Sequence, residues 1–235
     1  MENNLSNIKN TARLTGLLYF LVAVMGIFSY MYISPKIFID DDISATAQNM
    51  LNNEDLFRTG ILTDIISGVL FIAVVILLYH LLKHINETQA RLMLWFMMIV
   101  IPVSFIDEGI RFTTLYIFKG ELLQSFSVQQ RNAIAEMLLH INSYTGHFIM
   151  FHWGLWLMPL GWLVYKSGFI PRIFGILLWI NGIGYIINSA AFILCPDSFD
   201  NISKIIFPTY FMGELPLIFW LLIAGAKRRV GDSGY

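Results

Sequence analysis

The chain reads as an all-α, polytopic membrane protein, a bundle of six transmembrane helices with both termini in the cytoplasm. Three observations predict this. First, 57% of its 235 residues are hydrophobic and only 13% are charged, with a mean hydropathy of +0.65. Soluble domains carry roughly 45–50% apolar and about 25% charged residues, and so few charges cannot cover a water-facing surface. Second, six stretches approach the ~20 apolar residues needed to cross the hydrocarbon core: 13–33, 59–82, 92–118, 138–165, 173–195 and 205–226. Third, Lys and Arg alternate in density between the connecting segments. Lys9, Arg13, Lys83, Arg91, Lys166, Arg172, Lys227, Arg228 and Arg229 fall on one side; Lys36, Arg58, Lys119, Arg131 and Lys204 fall on the other. The positive-inside rule places the richer side in the cytoplasm. An even number of crossings independently requires the termini to share a side. The six spans are expected to form one membrane domain, 1–235.

The elements follow in order. Thr15 to Ile33 is uncharged, longer than the ~7–15-residue core of a cleaved signal peptide, so an uncleaved first span is expected. The segment 42–57 opens with acidic residues and sets Ile43, Ala47, Met50 and Leu51 at helical spacing; it reads as an amphipathic helix on the outer surface. Ser127 and Gln130 match a capping box, which lets the fourth helix begin in the outer loop. Ser167-Gly168 closes that helix and Pro171 opens the fifth, a tight hairpin flanked by Lys166 and Arg172. Gly175, Gly182 and Gly184 allow close helix approach.

Net charge is -1, so nothing suggests nucleic acid as a partner. The lone Cys195 excludes an intrachain disulfide and a multi-cysteine metal site.

Three stretches, "ARLTGLLYFLV" (12–22), "GWLVYKSGFIPRIFGILLWINGIGYIINS" (161–189) and "GELPLIFWLL" (213–222), together resemble a bacterial membrane family, the domain of unknown function 4386. The resemblance implies an integral membrane protein of six spans and no established reaction. Lys166 stands where the family pattern leads one to expect Arg, and Asn188 where Asp is common, which weakens any case for a functional acid on the fifth helix.

The informative residues are polar ones inside the spans. Asp64, Asp107, Glu108 and Glu214 are acids; Arg111 is the one lysine or arginine beside them; His147 and His152 lie on the fourth helix, with His140 nearer the surface. A charge at the bilayer centre costs at least about 2.5–3.5 kcal/mol, so such groups turn toward a bundle interior or a wet cavity. At about 1.5 Å rise per residue, Asp107 and Asp64 sit roughly 8 Å below the outer boundary, and His147 and Glu214 roughly 14 Å. Ser104, Asp107, Glu108 and Arg111 share one helix face. Glu108 with Arg111 is expected to be a structural ion pair. Asp107, Glu214, His147, Asp64 and His152 are the ligand-binding or proton-relay candidates. Pro102, Pro159, Pro208 and Pro216 lie close to these groups, where proline frees a carbonyl and bends a helix.

Four acids against one arginine leave an excess of negative charge for a proton, a cation or a metal to balance. The leading reading is therefore transport or binding of a small ligand, cation or proton through an outward-facing carboxylate/histidine pocket, in the cytoplasmic membrane of a bacterium. One alternative is an intramembrane metal-dependent lipid hydrolase, with His147, His152, Asp107 and Asp64 as ligands. Another is a structural or signalling subunit whose polar groups fix helix register. The partners implied are the lipid bilayer and a small-molecule, cation or lipid ligand; the sequence assigns no cofactor and no catalytic residue.

Overall fold

The structure, a computed structural model, describes residues 2–225. The basic residues Lys227, Arg228 and Arg229 that enter the orientation argument lie outside the described residues. Within the described range every regular element is helical and no strand occurs. Six helical stretches are long and apolar enough to cross a membrane: Ile8–Ile37, Glu54–Leu82, Glu87–Phe118, Val128–Lys166, Arg172–Leu194 and Pro196–Ile223. In none of their most apolar windows is more than 44% of the residues buried. The side chains left outside are large and apolar, such as Trp95, Ile106 and Leu194 at 63%, 65% and 76% exposure. Apolar surface of that extent needs a lipid environment.

Helix α1 (Glu2–Ile27) runs into a π-helical segment, Phe28–Ile33, and then into the short α2 (Ser34–Ile37). Ser29 is buried there, on the same stripe as Val22, Ile33 and Ile37. Helix α3 (Ile43–Asn52) is capped by Asp42, whose carboxylate accepts the Ala45 N–H at 2.8 Å. It is shorter than the expected 42–57, because the acidic Glu54 and Asp55 already belong to the first turn of α4 (Glu54–Leu82). Nor does the expected apolar face act as a unit. Met50 is fully buried beside Ile33, Ile37, Phe57, Ile61 and Leu115, whereas Leu51 is exposed. Thr46 joins the buried face and accepts the Ile39 N–H at 2.9 Å.

Helix α5 spans Glu87–Phe118 and α6 spans Val128–Lys166. The start of α6 is the capping box read from the sequence. The Ser127 N–H donates to Gln130 Oε1 at 2.9 Å, and the Gln130 N–H donates to Ser127 Oγ at 3.3 Å. The hairpin to α7 (Arg172–Leu194) follows the predicted pattern. Gly168 adopts φ +72°, Ser167 Oγ donates to the Val164 carbonyl at 2.8 Å, and the same oxygen accepts the Ile170 N–H at 3.1 Å. Beyond the turn, α6 and α7 meet at glycine pairs. A Cβ on Gly175 would stand 2.6 Å from the Gly161 carbonyl oxygen, and one on Gly182 would stand 2.9 Å from that of Gly154. Each pair is seven residues from the next, so one seam of close backbone contact holds the hairpin.

The sixth span is not one helix. After a 3-10 turn (Pro196–Ser198), α8 (Phe199–Ile206) gives way to a 3-10 segment at Phe207–Phe211, and a helix resumes only with α9 (Glu214–Ile223). Pro208 cannot donate a backbone hydrogen bond and so cannot continue α8, whereas Pro216 falls in the first turn of α9, where the missing N–H costs nothing.

Packing divides the described chain into two compact units. One comprises the described parts of Met1–Leu21, Leu70–Val100 and His147–Tyr235; the other comprises Val22–Val69 and Ile101–Gly146.

Candidate functional site

The second unit carries a polar recess of about 610 Å³. It is walled by the end of α1 and its π-helical extension (Gly26, Ser29, Tyr30), by Ser34, Phe38 and Asp40 around α2, by Asp64 of α4, by Ser104, Asp107, Glu108 and Arg111 of α5, and by Leu139, Asn142, Ser143 and Gly146 of α6. The α5 and α6 contributions are each an i, i+3, i+4, i+7 face, one stripe of an α-helix. A hollow of similar size at Leu51–Leu56 is walled by one continuous stretch of chain and gathers no groups from separate helices.

Arg111 is the hub of the recess. Its Nη1 donates to Asp64 Oδ2 at 2.9 Å and to both Glu108 oxygens at 3.0 Å. Ser29 Oγ adds a hydrogen bond to the same Asp64 oxygen at 2.8 Å. The guanidinium also lies over the rings of Phe57 and Phe38, 5.5 and 5.7 Å from their centroids, where the ring faces favour a cation. Arg111 is thus held by two carboxylates and two rings.

Asp107 is different. It is buried, and among the described residues it forms no ion pair. Its neighbour is Asn142, whose Nδ2 donates to the Asp107 backbone carbonyl at 3.4 Å and whose amide also reaches the carboxylate. The recess therefore has four carboxylates, Asp40, Asp64, Asp107 and Glu108, around one guanidinium, and that guanidinium is engaged by two of them.

The other sequence candidates fall elsewhere. Glu214, His147 and His152 belong to the first unit and are not among the residues lining the recess. Glu214 is the first residue of α9 and accepts a hydrogen bond from the Tyr19 hydroxyl. The His147 ring stacks on Phe192, centroids 3.9 Å apart, with Phe199 at its edge. His152 Nδ1 donates to the Phe148 carbonyl one turn earlier, at 3.3 Å. Among the described residues no group of three or more His, Cys, Asp or Glu side chains could hold a metal ion. The two histidines of the hydrolase alternative, His147 and His152, stand five residues apart on one helix, about 140° around it.

Sequence reasoning missed Ser29, Asp40 and Asn142. The face of α6 singled out by His140, Tyr144 and His147 is displaced by one residue from the lining face, and His140 and Tyr144 are exposed. The signal for the correct face was the row Asn142, Ser143 and Gly146, small or polar residues at helical spacing in an apolar span. Ser29 lies seven residues after Val22 and four before Ile33, a polar residue on a buried stripe that ordinary helical spacing continues.

Comparison with known proteins gives a family and no activity. Residues 14–225 match the model of a family described as "Domain of unknown function (DUF4386)". A protein of Archaeoglobus fulgidus described as "Uncharacterized protein" is 28% identical over 159 residues, covering 68% of this chain and 79% of the relative. No solved structure matches the chain.

Proposed function

The chain belongs to the family described as Domain of unknown function (DUF4386), and since that description names no reaction, we propose from the acidic recess that the protein binds a small organic cation of the ammonium type. The observation that carries this is the engagement of Arg111 by Asp64 and Glu108, which leaves Asp107 a buried carboxylate in no ion pair among the described residues. A bound ammonium group supplies the missing charge. The recess volume of about 610 Å³ lies within the ~300–1,000 Å³ of small-molecule sites, ample for an organic cation. Tyr30 in the wall offers an aromatic face, which attracts quaternary and primary ammonium groups.

The basic-residue asymmetry of the loops supports an orientation with both termini in the cytoplasm and the recess open to the outer side, in the cytoplasmic membrane of a bacterium. In that setting the recess serves as a receptor site or as the entry half of a transport path; Pro102, five residues before Asp107 in α5, gives the helix a place to bend.

A cysteine-accessibility experiment tests this. Ser143→Cys is introduced into a Cys195→Ser chain, and intact cells are treated with a membrane-impermeant maleimide. Labelling from outside, slowed by choline but not by its neutral isostere 3,3-dimethylbutanol, is expected. An introduced thiol that reacts only after the cells are broken contradicts the orientation, and equal protection by both compounds contradicts the cation.

A further inference from the structure

The first unit holds a carboxylate that the acidic recess does not use. Glu214 opens α9 immediately after the interruption of the sixth span at Phe207–Phe211. Its partners are hydroxyls. Tyr19, 3% exposed, donates to it, and the Tyr185 hydroxyl lies within hydrogen-bonding reach. Among the described residues no Lys, Arg or His forms an ion pair with it. The second observation is on α7. Asn181 is fully buried and packs against Gly213, the residue just before Glu214. Its Oδ1 lies 2.9 Å from where a Cβ on that glycine would stand. The Asn181 amide nitrogen lies within hydrogen-bonding reach of Tyr185, and its Oδ1 has no hydrogen-bond partner. A buried amide oxygen without a partner is costly, and one packed against Gly213, next in sequence to a carboxylate without a counter-charge, marks where a ligand completes the set.

We propose that Glu214, the Tyr19 and Tyr185 hydroxyls and the Asn181 carboxamide oxygen form a second site, for a partly dehydrated alkali-metal cation. Charge sets the valence. One carboxylate with neutral oxygen donors balances a single positive charge, whereas a divalent ion would leave a net charge within a spanning segment, at the cost such charges carry there. The break in the sixth span supplies the remaining logic. Interrupted spanning helices expose main-chain carbonyls at the depth where side chains alone provide too few oxygens. The glycine at 213 lets Asn181 approach the start of α9, and any side chain there would occupy the place of the amide. This site is independent of the proposal for the acidic recess, since none of its residues lines that recess.

The test is thermal unfolding of the full chain in nanodiscs, titrated with lithium, sodium, potassium and caesium chloride at constant ionic strength and constant pH. One of these ions is expected to raise the unfolding midpoint saturably, and Glu214→Gln to abolish that component. Asn181→Ala keeps the carboxylate and is expected to raise the half-saturating concentration of that ion about tenfold, the equivalent of ~1.4 kcal/mol; this variant carries the test if Glu214→Gln does not fold. The proposal is overturned if the four ions act alike, if Glu214→Gln keeps the ion-specific rise, or if Asn181→Ala leaves the half-saturating concentration unchanged. A midpoint that follows pH and ignores the identity of the ion overturns it as well, by assigning Glu214 a proton instead.

Discussion

Replacing Arg111 with methionine removes the guanidinium and keeps an unbranched side chain in the same space. The consequence follows from what Arg111 holds. Its side chain is 11% exposed, and its partners Glu108 and Asp64 are 12% and 23% exposed. Removing one member of a buried ion pair costs about 3–5 kcal/mol, because the partner's charge is left uncompensated. Here two carboxylates lose their cation together, but Asp64 retains Ser29 and is almost one-quarter exposed, so the lower end of that range applies, about 3 kcal/mol. For a chain of this size each kcal/mol lowers the unfolding midpoint by about 2–4 °C, which gives a loss of ~6–12 °C. The assay is thermal unfolding of purified protein in nanodiscs, followed by tryptophan fluorescence. A triple variant, Asp64→Asn with Glu108→Gln and Arg111→Met, removes all three charges and is expected to recover at least half of the loss, since neutral groups leave no uncompensated charge. Arg111→Met within 1 °C of the wild type, or a triple variant no more stable than the single one, would refute the assignment of Arg111 to its two carboxylates.

Further predictions concern the scaffold. Gly175→Ala drives a methyl group to 2.6 Å from the Gly161 carbonyl oxygen and is expected to cost about 1–3 kcal/mol, as overpacking does, measured by the same unfolding assay. Gly109→Ala, where a Cβ meets nothing within 4 Å, is expected to be neutral or to stabilise by up to ~1 kcal/mol through helix propensity; equal destabilisation by both would show that the seam between α6 and α7 is not tight. Ser127→Ala removes half of the capping box at the start of α6 and is expected to cost about 1 kcal/mol, seen as faster amide hydrogen exchange in the first turn of α6 and unchanged exchange in α7.

What could be read from the residues depended on how local the determinant was. Apolar length located all six spans, since crossing a bilayer is a requirement each segment meets alone. Ser127 with Gln130, and Ser167-Gly168 with Pro171, announced their cap and turn because those structures close within a few residues. Nonlocal features were less legible. The interruption of the sixth span needed the combination of Pro208 with Gly213 packed against Asn181, and only the first of these is visible in the segment itself. Depth put Asp107 with Asp64 and Glu214 with His147 in the outer half of the spans, but depth says nothing about azimuth. The i, i+3, i+4, i+7 stripe on α5 was read correctly. On α6 the histidines drew attention one residue away from the lining face, and Ser29, in step with the buried Val22, Ile33 and Ile37, was passed over because the stretch around it, Thr15 to Ile33, carries no charged residue to draw attention to it.

The question the charges raise, what balances Asp107, has a direct measurement. Calorimetric titration of choline and of 3,3-dimethylbutanol into wild-type and Asp107→Asn protein in nanodiscs isolates the charge of the ligand and the charge of the residue in one experiment. Saturable choline binding to the wild type is expected, weakened at least tenfold by Asp107→Asn, corresponding to ~1.4 kcal/mol or more, with no binding of the neutral compound to either protein. Choline binding that Asp107→Asn leaves unchanged, or neutral and cationic probes that bind alike, would contradict the role of Asp107 as the counter-ion of the recess.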